Sequence, residues 1–246
     1  MLNFKGIPYT QSWISYPDIE PLVTGLGLPP NPQGRKYTLP AIVHKASVTT
    51  NPNGAMMDSF PIALHLDETF PSPPPLFPSG GASYALAVAV DRLAGLLAPA
   101  YRPFVVPRVA DHLDPRGRAY FRETRSKALG KPLSEVRPPD QETVSALWKV
   151  AETESAPLVK MLRGREGKKG PFFEGERPGF ADLLLACHLA FIERYDKELF
   201  ARFLGLGTGE FEALYEACLP WLEGQGEDKE WLVPQATSSW VEEPSK

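Results

Sequence analysis

The chain has 246 residues, 26 Lys and Arg against 30 Asp and Glu, and a formal charge of −4. Hydrophobic residues make up 43% and charged residues 23%, the balance of a globular chain with room for one large domain or two small ones. So mild an acidity gives no electrostatic basis for a nucleic-acid partner or an anionic membrane surface, and no uninterrupted apolar run approaches the roughly 20 residues of a bilayer span.

The start, MLNFKGIPYT, has neither the basic cap nor the apolar core of a signal peptide. Tyr9–Tyr16, aromatic-rich and bounded by Pro8 and Pro17, predicts a strand. Asp18–Leu26 predicts a short helix, with Ile19, Leu22, Val23 and Leu26 at helical spacing, Pro17 at its start and Gly25 and Gly27 at its end. Leu39–Ala46 and Ala55–Asp58 predict two strands, joined as a hairpin by the turn chemistry of Asn51-Pro52-Asn53-Gly54. Ser59–Phe70 then places Phe60, Ile62, Ala63 and Leu66 on one helical stripe. The order is strand, helix, strand, strand, helix.

Proline is over-represented, at 27 residues, more than twice an average share of about 5%. The prolines concentrate at 71–78, 99–107 and 132–139, which marks these stretches as joints. Pro71–Gly81 predicts a stiff, extended linker between an N-terminal unit over 1–70 and a helical unit over 82–246. In the second unit Tyr84–Tyr101 carries Leu86, Val90, Leu93 and Leu97, its apolar run interrupted by Asp91 and Arg92. Gln141–Leu162 carries Val144, Leu147, Trp148 and Ala151, with a kink or break expected at Pro157. Phe180–Tyr195 keeps the i, i+3, i+4 series through four turns and is apolar on its other side too, so it is expected to be a buried central helix. Glu210–Leu222 predicts the last helix.

Few residues carry a chemical signal unaided. Cys187 and Cys218 form no CxxC pair and sit in helical patterns, so buried free thiols and a reduced, cytoplasmic compartment are expected. His44, His65, His112 and His188 have no metal-ligand spacing, and His188 reads as a hydrogen-bonded core or cleft residue. Phe191 and Tyr195 suit either a core or an apolar cleft. Ser59 reads equally as a helix cap and as an anion ligand, and Pro40 by itself is an ordinary trans proline at a strand start.

A resemblance sharpens these readings. NFKGIPYTQSWISYPDIEP (Asn3–Pro21), YTLPAI (Tyr37–Ile42), MDSFPIALHLDETFP (Met57–Pro71) and YFRETRSKALGKPLSEV (Tyr120–Val136) resemble the glutathione transferases. The likeness is to fungal transferases related to bacterial β-aryl etherases, and to transferase-like proteins of fungal secondary-metabolite pathways. It implies a thioredoxin-like N-terminal domain, truncated at its start, followed by an all-helical domain. It further implies that Leu39-Pro40 holds the cysteinyl part of glutathione through the Leu39 backbone, in the manner of an added strand. Pro40 shapes that turn through a cis bond. Asp58 and Ser59 then receive the γ-glutamyl end at a helix N-terminus. Asp182 matches the acidic residue of the family's capping box, with Gly179 where the family has Ser or Thr, a small loss for a cap.

The same resemblance aligns Met1-Leu2-Asn3-Phe4 with the tail of the family's first helix. Its first strand and the start of that helix, roughly 20 residues of such a domain, are therefore expected to be absent. With them would go the Ser, Cys or Tyr that activates the thiol, and no residue is assigned a catalytic role. Tyr9, Thr10 and Ser12 belong to the next strand. Two unpaired edges, at Tyr9–Tyr16 and Leu39–Ala46, are expected to face each other. The implied activity is conjugation of glutathione, as cosubstrate and without a metal, to a small hydrophobic electrophile, or ether cleavage, by a homodimer. The alternative is a catalytically silent transferase-like protein that binds ligands or regulates a partner. A thiol–disulfide exchanger would need an N-terminal redox cysteine, and none is present.

Overall fold

The computed structural model describes residues 1–233; residues 234–246, the end of the expected helical unit, lie outside the described residues. In the N-terminal part the elements are α1 (Leu2–Lys5), β1 (Thr10–Gln11), α2 (Ile19–Gly25), β2 (Ala41–Val43), β3 (Ala55–Met57) and α3 (Ser59–Thr69). The helical part consists of α4 (Gly81–Val109), α5 (Pro115–Leu129), α6 (Gln141–Arg163), α7 (Phe180–Tyr195), α8 (Lys197–Leu204) and α9 (Glu210–Leu222), after which β4 (Glu227–Asp228) returns to the N-terminal part. A thioredoxin-like α/β part is thus followed by an all-helical one, in the expected order.

β2 and β3 form the expected antiparallel hairpin, with Ile42 opposite Met56. Its turn depends on Gly54, where φ is +67° and a Cβ would lie 2.5 Å from the Lys45 Cα, a conformation and an approach open only to glycine. The strand expected over Tyr9–Tyr16 shrinks to Thr10–Gln11, and its edge is not unpaired. Thr10 lies opposite Glu227 and Gln11 opposite Asp228 in a parallel pair. The Lys229 N–H donates to the Gln11 carbonyl at 2.7 Å, and the Ser12 hydroxyl donates to the Lys229 carbonyl. Tyr9 joins the same junction, donating to Asn3 and accepting from the Gln225 N–H at 2.9 Å.

The segment Pro71–Gly81, expected as a stiff, extended linker, packs into the core. Leu76 is fully buried and Phe77 nearly so. The Asp67 carboxylate accepts from the Leu76 and Phe77 N–H groups at 2.7 and 3.2 Å and pairs with the buried Lys5 ammonium at 2.8 Å. α3, α1 and the linker are thereby pinned together, and Ile62, Ala63 and Leu66 of α3 enter the same core as the helical part.

The proline-rich stretch at 99–107 is not a joint either. α4 runs unbroken through Pro99, Pro103 and Pro107. At four-residue spacing the three rings fall on one face, and the same turns bury Ala100, Tyr101, Phe104, Val105 and Val109, burial that outweighs the lost backbone bonds. By length and composition α4 with its following turn, Gly81–His112, is long and apolar enough to cross a membrane. Asp91, Arg92, Arg102 and Arg108 interrupt that surface, and the helix packs on α6 and α7. Pro157 likewise lies inside α6 without ending it.

α7 is the central helix. Phe180, Leu183, Leu185, Ala186, Leu189 and Ile192 are all buried. Its start explains the unusual cap at Gly179. A Cβ there would meet the Leu76 carbonyl and the Pro78 ring at 3.1 Å, because the linker lies against it and Leu76 accepts from the Phe180 N–H at 2.7 Å. With glycine in this tight place and no cap side chain, Asp182 reaches back and accepts from the Gly179 N–H at 2.8 Å.

Candidate functional site

An open cleft of about 580 Å³ lies where the N-terminal part meets the helical part, within the size range of small-molecule sites. Tyr16, Arg35, Pro40 and Ser59 line it from the N-terminal side; α4, α5 and α7 line it from the other with Tyr101, Arg102, Phe121, Arg125, Phe180, Leu183, Leu184, Cys187, His188 and Phe191.

Of the four residues singled out from the sequence, Pro40 and Ser59 face this cleft and Leu39 and Asp58 flank it. The Leu39–Pro40 peptide bond is cis. The Pro40 carbonyl accepts from the Asp58 N–H at 3.3 Å, so the two short motifs are joined backbone to backbone. The Leu39 amide and carbonyl take no hydrogen-bond partner among the described residues. Asp58, with φ 81° and ψ 138°, occupies a region nearly confined to glycine, at a cost of about 1–3 kcal/mol. That turn makes Asp58, not Ser59, the cap residue of α3. Ser59 is the first helical residue and caps nothing; its hydroxyl lies 3.5 Å from the Asp58 carboxylate.

The helical wall is built by α5 as well as α7, and α5 is docked by its start. The Asp114 side chain accepts from the Gly117 N–H at 3.0 Å and from the Ser15 hydroxyl at 2.7 Å. Arg116 forms a two-pronged pair with Asp18. Ser15 and Asp18 bracket Tyr16, so these contacts bring the Tyr16 ring edge-on to Phe121, with centroids 5.2 Å apart. The Arg125 guanidinium lies 4.5 Å from the Phe121 ring centre.

His188 is a cleft residue, its Nδ1 hydrogen-bonded to the Tyr101 hydroxyl at 2.7 Å. Burial lowers its pKa, and burial also pushes the Tyr101 phenol up to about 12. Phe191 lines the cleft, whereas Tyr195 packs on Phe191 and His112 behind it. Cys187 is not the buried thiol expected. It opens onto the cleft, while Cys218 is buried. The hydroxyls of Tyr9 and Ser12 hold the C-terminal segment and do not face the cleft. Among the described residues no group of His, Cys, Asp and Glu is placed to hold a metal ion. Sequence reasoning missed Arg35, Arg102 and Arg125.

The family model for the glutathione S-transferase C-terminal domain matches residues 85–221. A protein of Aspergillus flavus, glutathione S-transferase-like protein ustS, is 54% identical over 241 residues, 97% of this chain and 87% of that protein. The chain belongs to the glutathione S-transferase family. Among solved structures it is similar to the transferase CsGST63524 of Ceriporiopsis subvermispora in complex with glutathione, at 28% identity and a TM-score of 0.76 over 92% of this chain and 89% of that one. Transferase GSTFuA3 from Phanerochaete chrysosporium is 34% identical, with a TM-score of 0.73 over 89% and 86% of the two chains.

Proposed function

We propose that this transferase-family chain binds glutathione on the side of the cleft walled by Pro40 and Ser59. There it conjugates glutathione to a small hydrophobic electrophile held against α4, α5 and α7, or uses it to cleave an ether in that molecule. One observation carries the reading: a single cleft meets both short motifs on one side and an aromatic, apolar wall on the other. In this reading the unpartnered Leu39 backbone pairs with the cysteinyl part of glutathione. Ser59 and the first N–H groups of α3 receive the γ-glutamyl carboxylate, the exposed Asp58 carboxylate faces the ammonium group, and Arg35 suits the carboxylate at the other end. The thiol releases its proton, the thiolate forms a C–S bond, and the displaced group leaves with the bonding pair. A relative in complex with glutathione supports this cosubstrate.

The proposed organisation is a thioredoxin-like unit over 1–70, a linker over 71–81 and a helical domain over 82–246, in a cytoplasmic homodimer acting in detoxification or secondary metabolism. Pairing is supported by exposed apolar residues on two helices in contact, Leu64 of α3 and Tyr84 and Val88 of α4; Phe60, one turn before Leu64, meets the Tyr84 ring at 6.0 Å. A second reading, a silent ligand-binding protein, is favoured by Tyr101. Its hydroxyl is held on His188 at 2.7 Å, which engages this cleft phenol within the protein and not on a thiol.

Calorimetric titration of the full chain with glutathione tests the first reading. Binding is expected, and Ser59→Ala is expected to weaken it by about 1–3 kcal/mol, the cost of an unmade bond to a charged group. Undiminished affinity in that variant removes Ser59 from the site. Conjugation of glutathione to 1-chloro-2,4-dinitrobenzene or to its anionic analogue 4-chloro-3,5-dinitrobenzoate then separates the readings, because binding without turnover of either electrophile selects the silent one.

A further inference from the structure

Three arginines, Arg35, Arg102 and Arg125, line the cleft, and among the described residues Asp91 is the one acidic residue lining it. Among the described residues none of the three forms an ion pair with a carboxylate. Arg108, Arg116, Arg122, Arg163 and Arg177 elsewhere in the chain have acidic partners, whereas these three share one cleft. Asp91 forms no ion pair with any of the three, and its charge is felt at His188. Burial lowers the affinity of Arg125 for the proton, and the charges of Arg35 and Arg102 lower it further.

The three residues come from different sides. Arg35 belongs to the loop before Leu39-Pro40, on the glutathione side of the proposed reading. Arg102 belongs to the C-terminal third of α4, and its charge also reaches Tyr101 and His188. Arg125 projects from α5 and lies against Phe121 and Tyr16, 4.5 and 5.7 Å from their ring centres. Its Nη1 donates to the Thr124 hydroxyl at 3.1 Å, and a flat guanidinium braced on aromatic faces offers its remaining N–H groups to a planar anion. The helical half of the cleft is therefore apolar and aromatic with a positive rim.

We infer that the second substrate is an anionic aromatic molecule, an aryl carboxylate, sulfonate or phosphate ester, whose ring lies against Phe121 and Phe191 and whose charged group is received by Arg102 and Arg125. The inference rests on the transferase reading for its reaction and on the cleft alone for its binding. It sets this chain apart from a transferase that accepts neutral apolar electrophiles indiscriminately.

Two dyes with the same ring system test it on the full chain: 8-anilinonaphthalene-1-sulfonate, and N-phenyl-1-naphthylamine, which lacks the sulfonate. Fluorescence titration is expected to show the sulfonate bound about tenfold or more tightly than the neutral dye, a preference that salt reduces. The double variant Arg102→Gln, Arg125→Gln is expected to lose that preference while holding the neutral dye within about twofold, which controls for any change in the aromatic wall. Glutathione is expected to bind together with the sulfonate dye.

Equal binding of the two dyes, or a preference that survives in the double variant, overturns the inference. So does mutual exclusion of glutathione and the sulfonate, which would give these arginines to the carboxylates of glutathione itself. Failure of the transferase reading looks different: glutathione does not bind, yet the dye preference and its loss in the double variant stand, leaving an anion-binding cleft without that cosubstrate.

Discussion

Asp182 is 1% exposed, and its two carboxylate oxygens accept one backbone N–H each, from Phe173 and Gly179, both at 2.8 Å. One side chain thus fixes the start of α7 and the loop before it. Removing it leaves two buried donors unmatched, at about 1–3 kcal/mol apiece, so Asp182→Ala is expected to lower unfolding stability by about 2–6 kcal/mol at neutral pH, read from urea transitions. The pH dependence has a definite sign. Burial lifts the carboxyl from its ordinary 3.8 to about 6 in spite of the two N–H donors. The folded protein therefore holds an extra proton between about pH 4 and 6, and the stabilisation by protonated Asp182 is full below that window and lost as pH rises through 6. The gap between wild type and Asp182→Ala is expected to widen from pH 7.5 to pH 5. A gap that stays constant or narrows would mean that the two donors, not burial, govern this carboxyl.

On α7, successive residues do different work. Leu185 is fully buried in the core, whereas Leu184 is half-buried and lines the cleft. Leu185→Ala is expected to destabilise by about 2–5 kcal/mol through the cavity it leaves. Leu184→Ala, on a wall already open to water, is expected to cost under about 1.5 kcal/mol in the same urea measurement and to change apolar-ligand binding instead. Similar losses at both positions would place Leu184 in the core. The periodicity of α7 was legible in the sequence because its apolar positions recur on one face without a break. α5 was not read as a helix, since its arginines, Lys127 and Glu123 leave only Gly117 and Phe121 buried and no stripe exists to read. The same polarity hid the cleft wall: Arg102 and Arg125 look like solvated charges until α5 is docked on Ser15 and Asp18. Pro40 and Ser59 were legible only as part of a family pattern, for each alone has an ordinary structural meaning. The prolines misled because local preference places a joint at 99–107, while the burial of Tyr101, Phe104 and Val105 holds a helix there.

At the scale of the molecule, composition places the seam at 71–81, but packing moves it. α3 sends Ile62, Ala63 and Leu66 into the core built by α4, α6 and α7, and Asp67 ties it to the linker and to Lys5. The pieces before it are held more lightly. β2 and β3 are three residues each, paired only with one another among the described residues. β1 is two residues long and depends on the distant segment 227–229. Elements with few buried apolar contacts open at lower free energy than the core, whatever their place in the chain. Amide exchange followed by mass spectrometry is therefore expected to divide the protein between β3 and α3. Amides of residues 62–69 should be protected to nearly the degree of α7, and those of 10–11, 41–43 and 55–57 should exchange well before them. Because Asp58 lies at that division, a ligand bound at Ser59 would slow exchange across 39–57 more than across α3. If instead α3 exchanged together with the β2–β3 hairpin and ahead of α7, the cooperative boundary would lie in the proline-rich segment, and the Asp67 contacts would be too weak to move it.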